Sequence, residues 1–170
     1  MPNPALKTDR LLARAKRALS QNGAPTIYGL GRGGTNPGAP RPQDAKGRCD
    51  CSGYAAWVLG VARLQRDKRK AWSLILPWIE TTLVARDAQG GQRMFVRIPE
   101  PVEGCVVVYG DRLRTQGHVG IVVRNSGGAL TTIDCSTARG SKAIALRPLA
   151  WWLEPRRGAV FCVLREDLQQ

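Results

Sequence analysis

Gly117-His118-Val119-Gly120-Ile121-Val122-Val123-Arg124, then Asn125-Ser126-Gly127-Gly128, then Leu130-Thr131-Thr132-Ile133-Asp134-Cys135, is the stretch whose reading decides the fold. Two runs rich in β-branched residues flank a short polar cluster containing two glycines. Such runs favour strands and such clusters favour reversal, so the stretch predicts an antiparallel hairpin. Counting back across the turn brings the end of the second strand beside the start of the first. Asp134 then lies next to His118, the single histidine of the chain.

Further short runs follow the same pattern: Met94–Ile98, Cys105–Tyr109, Ala143–Leu146 and Ala159–Leu164, separated by turn signals at Pro99 to Gly104 and at Gly140. The residues upstream have a different character. Leu11, Leu12, Ala15, Ala18 and Leu19 form one stripe opposite Arg and Lys, predicting a helix over about 8–21 with Thr8 as its cap. Ala24 to Arg48 is dense in Gly and Pro and reads as a long ordered loop, a kind that in compact domains is usually functional or mobile. Cys51 to about Leu64 predicts a second helix, with Tyr54, Ala55, Val58, Leu59 and Ala62 on its buried face. Pro77 suits a first helical turn, so a third helix is expected from Trp78 to about Ala88, stopped by Gly90-Gly91. Helices first and an antiparallel meander afterwards predict an α+β domain, N-terminal helices packed on a central sheet of about five to six strands. No repeat or linker suggests a second unit, so 1–170 is expected to be one domain with a core of about 24–165.

The chain is 170 residues long, with 43% hydrophobic and 23% charged residues, values of an ordinary globular domain. Its net charge of +13 is unusual and predicts attraction to polyanions, whether nucleic acid, anionic lipid or acidic wall polymers. The basic residues are dispersed. The densest run, Arg63 to Lys70, includes Asp67 and reads as a solvated helix end or loop. Without interleaved aromatics or a nucleic-acid signature, no nucleic-acid partner is expected. No stretch is long and apolar enough for a membrane span or a signal peptide, so membrane insertion is not expected. Synthesis in the cytoplasm is the expectation, with action elsewhere reached by specialised secretion, delivery or lysis.

Five cysteines, Cys49, Cys51, Cys105, Cys135 and Cys162, leave at least one thiol free in a monomer. The last three lie in strand-like runs, where cysteine behaves as a small buried hydrophobe. Disulfides are neither required nor excluded. Cys51 differs, because it opens a predicted helix in Asp50-Cys51-Ser52-Gly53-Tyr54. A helix N-terminus favours negative charge, and an imidazole can take a thiol proton, so Cys51 and His118 are the two halves of a nucleophile–base pair. Asp134 is the residue placed to orient His118, since an imidazole needs a partner that fixes its tautomer. Cys49 precedes the helix and reads as a loop residue. A Cys49/Cys51/His118 metal site lacks a fourth ligand, so neither metal nor cofactor is expected. Trp72, Trp78, Trp151 and Trp152 are expected mostly in the core, but Trp151 and Trp152 cannot both face inward on a strand.

The ordered pieces Ile27-Tyr28-Gly29, Gly33-Gly34, Asp50-Cys51-Ser52-Gly53-Tyr54, Pro101 to Val108, Gly117-His118-Val119-Gly120-Ile121 and Ile133-Asp134-Cys135-Ser136 resemble the NlpC/P60 superfamily of papain-like cysteine peptidases, relatives of the CHAP amidases. The resemblance spans about 27–136 and implies a papain-like fold. It implies Cys51 as nucleophile, His118 as base and Asp134 as the third polar residue, where relatives most often carry His. Cys105 also departs, at a position commonly Asp. Tyr28, Asp50, Ser52 and Gly117 match positions that shape the cleft and contact substrate; Tyr28 also reads as an ordinary loop aromatic and Asp50 as a helix cap. The implied activity is hydrolysis of amide bonds in peptidoglycan stem peptides by a monomer, as in phage lysins or secreted antibacterial effectors, the latter with an acidic immunity protein as partner. Two other readings stay open on the sequence alone: a non-enzymatic basic binding or virion-structural module, and a thiol amidase or acyltransferase with another substrate.

Overall fold

The computed structural model describes residues 4–22, 25–63, 79–113, 115–165 and 168. Its centre is a six-stranded antiparallel sheet formed by β3 (Phe95–Ile98), β4 (Val106–Tyr109), β5 (His118–Arg124), β6 (Leu130–Cys135), β7 (Ile144–Pro148) and β8 (Val160–Leu164). Strands β4 to β7 form a meander in chain order. The last strand returns between β3 and β4, giving the order β3-β8-β4-β5-β6-β7. The architecture is α+β, as the order of sequence patterns implies. The expected hairpin is present with Gly120 opposite Asp134 and Val123 opposite Thr131, while the Asn125 carboxamide closes the turn on the Gly127 and Ala129 N–H groups.

Alternation along the strands divides two apolar layers. Val106, Val108, Val119, Ile121, Ile133 and Cys162 face a core shared with the N-terminal helices α1 (Pro4–Arg17) and α2 (Cys51–Val58) and with α3 (Thr81–Arg86). Cys105, Val107, Tyr109, Val122 and Phe161 face a smaller layer completed by the short helix α4 (Leu149–Trp152). All five cysteines are buried free thiols. A parallel pair, β1 (Ile27–Tyr28) and β2 (Arg48–Cys49), brackets the glycine-rich loop and delivers the chain to the start of α2.

Several element boundaries differ from expectation. The first helix starts at Pro4, so Thr8 lies within it rather than capping it, and it ends at Arg17. Helix α2 stops at Val58 instead of Leu64, because Gly60 adopts φ +73° and turns the chain. Helix α3 begins at Thr81, where the Glu80 side chain accepts the Thr82 and Leu83 N–H groups, and runs on as a π-type turn over Asp87–Gly91. The Asp87 carboxylate then accepts the Arg93, Met94 and Phe95 N–H groups and starts β3. Pro77, Trp72 and Trp78, and the basic run beyond Arg63, lie outside the described residues. Trp151 and Trp152 stand on α4, not on a strand, so both meet the same part of the sheet.

The glycine-rich loop is pressed against the first turn of α2. Gly34 has φ +67°, and a Cβ there would lie 2.2 Å from the Gly53 carbonyl oxygen. A Cβ on Gly53 would in turn lie 2.5 Å from the Arg32 carbonyl oxygen. Gly31 also has positive φ, +73°, but open space around its Cβ position. Gly31→Ala therefore meets only backbone strain, about 1–2 kcal/mol. Gly34→Ala adds a clash with main chain and is expected to destabilise more than Gly31→Ala, with the difference read from urea unfolding midpoints; equal losses would show that the loop does not bear on α2.

Candidate active site

Asp50 caps α2. Its Oδ1 accepts the Gly53 N–H at 2.8 Å, an arrangement worth about 1 kcal/mol to a helix. Its Oδ2 accepts the Gly31 N–H at 2.7 Å and Arg63 Nη2 at 2.7 Å. Ser52 Oγ donates to Asp50 Oδ1 and accepts from Arg63 Nη2. Asp50 and Ser52 are both buried, and their polar atoms form one network with Arg63, a residue that sequence reasoning placed only in a solvated run. The network locks the loop, the cap and the first turn of α2 together. Both residues still line the wall of the cleft.

That locking sets Cys51 at the first position of α2, 5% exposed, with its sulfur against the backbone N–H groups of Val119 and Ser52. Val119 follows His118, so the nucleophile candidate meets the start of β5. Burial pushes the Cys51 thiol up to about 12, and the Asp50 charge adds to this. The two N–H groups and Arg63 pull the other way without reversing it. Cys51 is thus a protonated thiol at rest near neutrality.

His118 is buried at the start of β5 and its Nε2 lies 3.1 Å from Asp134 Oδ2, the pairing expected from the hairpin register. The imidazole stacks on Trp152, with ring centroids 5.1 Å apart and planes at 9°, and meets Trp151 edge-on at 5.8 Å. Trp152 Nε1 donates to Thr132 Oγ1 at 2.9 Å, which fixes the stacking ring. Gly120 makes that position accessible: a Cβ there would lie 2.9 Å from the Trp152 ring. Asp134 is fully buried. Besides His118 it binds Arg147 Nε through Oδ2 and Arg139 Nη1 through Oδ1 at 3.2 Å. Burial opposes its ionisation, yet the contacts with His118 and Arg147 outweigh that and hold its pKa below the usual carboxylate range.

The cleft has two adjoining halves that share Tyr28, Gln116 and Gly117. One, of about 230 Å³, is walled by Cys51, Asp50, Glu80 and Asp111; the other, of about 350 Å³, by His118, Tyr109, Arg147 and Trp151. Only taken together do the two halves sit well within the range of small-ligand sites, roughly 300–1,000 Å³. Tyr28 is half-buried on β1, its hydroxyl kept protonated by burial first and by the neighbouring Cys51 and Asp50 next. Gly117 is held by its N–H to Asp111 Oδ1, and a Cβ there would strike Thr81 Oγ1 at 2.4 Å. Cys49 is fully buried below the site, its sulfur on the Asp50 carbonyl, and Cys135 Sγ donates to the Cys49 carbonyl at 3.2 Å. Burial raises Cys105 and Cys162, while Cys135 is raised mainly by its contact with Cys49.

Sequence reasoning missed Arg139, Arg147, Gln116 and the position of the tryptophans. A signal existed for Arg147: it lies within an alternating apolar stretch, where a charge needs an internal partner. Comparison with protein-family models and with curated proteins finds no match, so the chemistry is argued from the geometry.

A protonated Cys51 makes a definite expectation. Iodoacetamide labelling of the Cys51 peptide, followed by mass spectrometry, should be slow at pH 7 and rise about tenfold per pH unit above it. A rate that stays flat and fast down to pH 5 would mean a resting thiolate–imidazolium pair instead.

Proposed function

We propose that this chain is a papain-like cysteine peptidase or amidohydrolase of the NlpC/P60 type that cleaves amide bonds in peptidoglycan stem peptides. The reading is carried by one observation: a buried cysteine at the first position of a helix abuts the strand whose first residue is a histidine held on a buried aspartate. A structural cysteine has no need of that neighbourhood. The same arrangement supports an acyl-transfer reading, with a nucleophile candidate, a base candidate and a carboxylate to orient the base.

With its Nε2–H donated to Asp134, His118 presents the Nδ1 lone pair as base. Substrate entering the cleft excludes water, and Nδ1 takes the Cys51 proton as sulfur attacks the carbonyl carbon. The oxyanion is assigned to the Cys51 backbone N–H, one of the first-turn donors that no helix carbonyl accepts. Such a donor stabilises the developing charge by about 3 kcal/mol. Collapse expels the amine, which takes its proton from His118. Water, activated by the same imidazole, then releases the acyl group and restores the thiol. Asp134 keeps the imidazole oriented through both steps, and Tyr28 and Gly117 border the acyl position.

The charge of +13 suits a substrate that carries carboxylates and a wall rich in phosphates. It equally suits an acidic inhibitor protein that plugs the cleft, as a delivered antibacterial effector would require. No helix among the described residues is long and apolar enough to cross a membrane.

Purified peptidoglycan digested under reducing conditions tests the reading. Wild-type protein should release muropeptides whose new amine and carboxylate ends identify the bond by mass spectrometry. Cys51→Ala should abolish release, and His118→Ala should lower it by about 10²–10⁴-fold. Folded wild-type protein that releases nothing would overturn the peptidoglycan substrate; release that survives Cys51→Ala would overturn the thiol mechanism.

A further inference from the structure

The Asp134 carboxylate is more heavily neutralised than a residue that merely orients an imidazole needs to be. Both its oxygens are engaged: Oδ1 by Arg139 Nη1, Oδ2 by His118 Nε2 and by Arg147 Nε. The two guanidiniums are themselves fixed. Arg139 Nη2 donates to the Leu146 carbonyl at 3.0 Å, and the Arg147 guanidinium lies 4.1 Å from the Trp151 ring centroid. Arg157 lies 3.5 Å from the same ring and hydrogen-bonds Tyr109, so a third cation stands one ring away from the imidazole. Asp134 from β6 thus binds His118 directly, while Arg147 from β7 and Arg139 from the turn after β6 act on it through that carboxylate. Tyr109 from β4 meets the imidazole with ring centroids 6.4 Å apart, Cys51 from α2 reaches the start of β5 at the Val119 N–H, and α4 presents tryptophan rings.

One buried negative charge beside an imidazole raises the imidazole pKa by about 1–3 units. Here one negative charge is met by two positive ones before the imidazole takes any proton. We propose that Arg139 and Arg147 are positioning residues, a clamp that offsets the charge of Asp134 and holds its carboxylate where His118 Nε2 needs it. The proposal deepens the hydrolase reading and takes its catalytic meaning from it, but its test needs no substrate.

The chain has one histidine, so the imidazole C2–H resonance of the intact protein is assigned without ambiguity. Its titration by NMR is the experiment. Arg147→Gln should raise the His118 pKa by about one unit, and Arg139→Gln should raise it by less. Arg147→Lys, which keeps the charge, should return it close to the wild-type value. Asp134→Asn, which leaves the two cations, should lower it. In Arg147→Gln the onset of Cys51 labelling by iodoacetamide should also move to lower pH, since a more basic imidazole takes the thiol proton more readily. A merely structural arginine would change stability and leave both titrations in place.

Removing one partner of a buried charge can unfold a protein. Arg139, whose side chain is 22% exposed, supplies the milder variant should Arg147→Gln fail to fold. Folded Arg139→Gln and Asp134→Asn proteins with the wild-type His118 titration would overturn the clamp. Those shifts in a protein that cleaves no peptidoglycan would sink only the hydrolase substrate. Cys51-dependent cleavage without the shifts would sink only the clamp.

Discussion

A carboxylate with no exposed surface must find its counter-charges within the fold, and Asp134 is that carboxylate here. Leaving it uncompensated would cost several kcal/mol, so strand β6, strand β7 and the turn between them must hold Arg139 and Arg147 in place together. Thr132 ties the arrangement to the other layer. Its Oγ1 accepts Trp152 Nε1 and donates to the Arg147 carbonyl, so the ring stacked on His118 and the strand bearing the guanidinium share one atom. A one-residue slip of β6 would move Asp134 and Thr132 to the face opposite His118 and Gly120. The pairing of β5 with β6 is therefore held by charge and aromatic packing as well as by its backbone ladder.

The other half of the cleft is built on the same principle with different parts. Asp50 is a second buried carboxylate, matched by Arg63, the Gly31 N–H and the first turn of α2. Each carboxylate anchors one of the two candidate reacting groups. The one beside Cys51 raises the thiol pKa, and the one beside His118 is itself neutralised. Glycines allow the two anchors to approach. Gly53 and Gly34 bring backbone against backbone under Cys51, and Gly120 yields its side-chain volume to Trp152.

What the sequence disclosed is what short-range rules encode. The β5–β6 hairpin and the His118–Asp134 proximity followed from β-branched runs and a polar turn, and the Asp50 cap followed from an acidic residue before a helical pattern. Element ends were less readable. Thr8 looks like a cap, yet Asn3-Pro4 carries the cap-and-proline signal of a helix start, and Gly60 cuts α2 short of the apolar residues beyond it. The arginine clamp was hidden for a different reason. Arg139 and Arg147 reach Asp134 across a turn and a strand pairing, and an arginine in a chain of net charge +13 carries no sign that its charge is spent internally. Trp151 and Trp152 misled because adjacent residues on a strand point apart, whereas on one helical turn both can face the same imidazole.

The surroundings of Cys51 work against a standing thiolate: burial and Asp50 oppose it, and the Val119 and Ser52 N–H groups and Arg63 do not outweigh them. In the acyl transfer we propose, a carbonyl poised over sulfur would let the proton leave the thiol as the new bond forms, with the charge passing to an oxygen that meets a backbone N–H. Until then the buried, protonated thiol is a poor target for stray electrophiles. A thiol that stays protonated is less exposed to oxidation than a standing thiolate, since oxidation follows thiolate character.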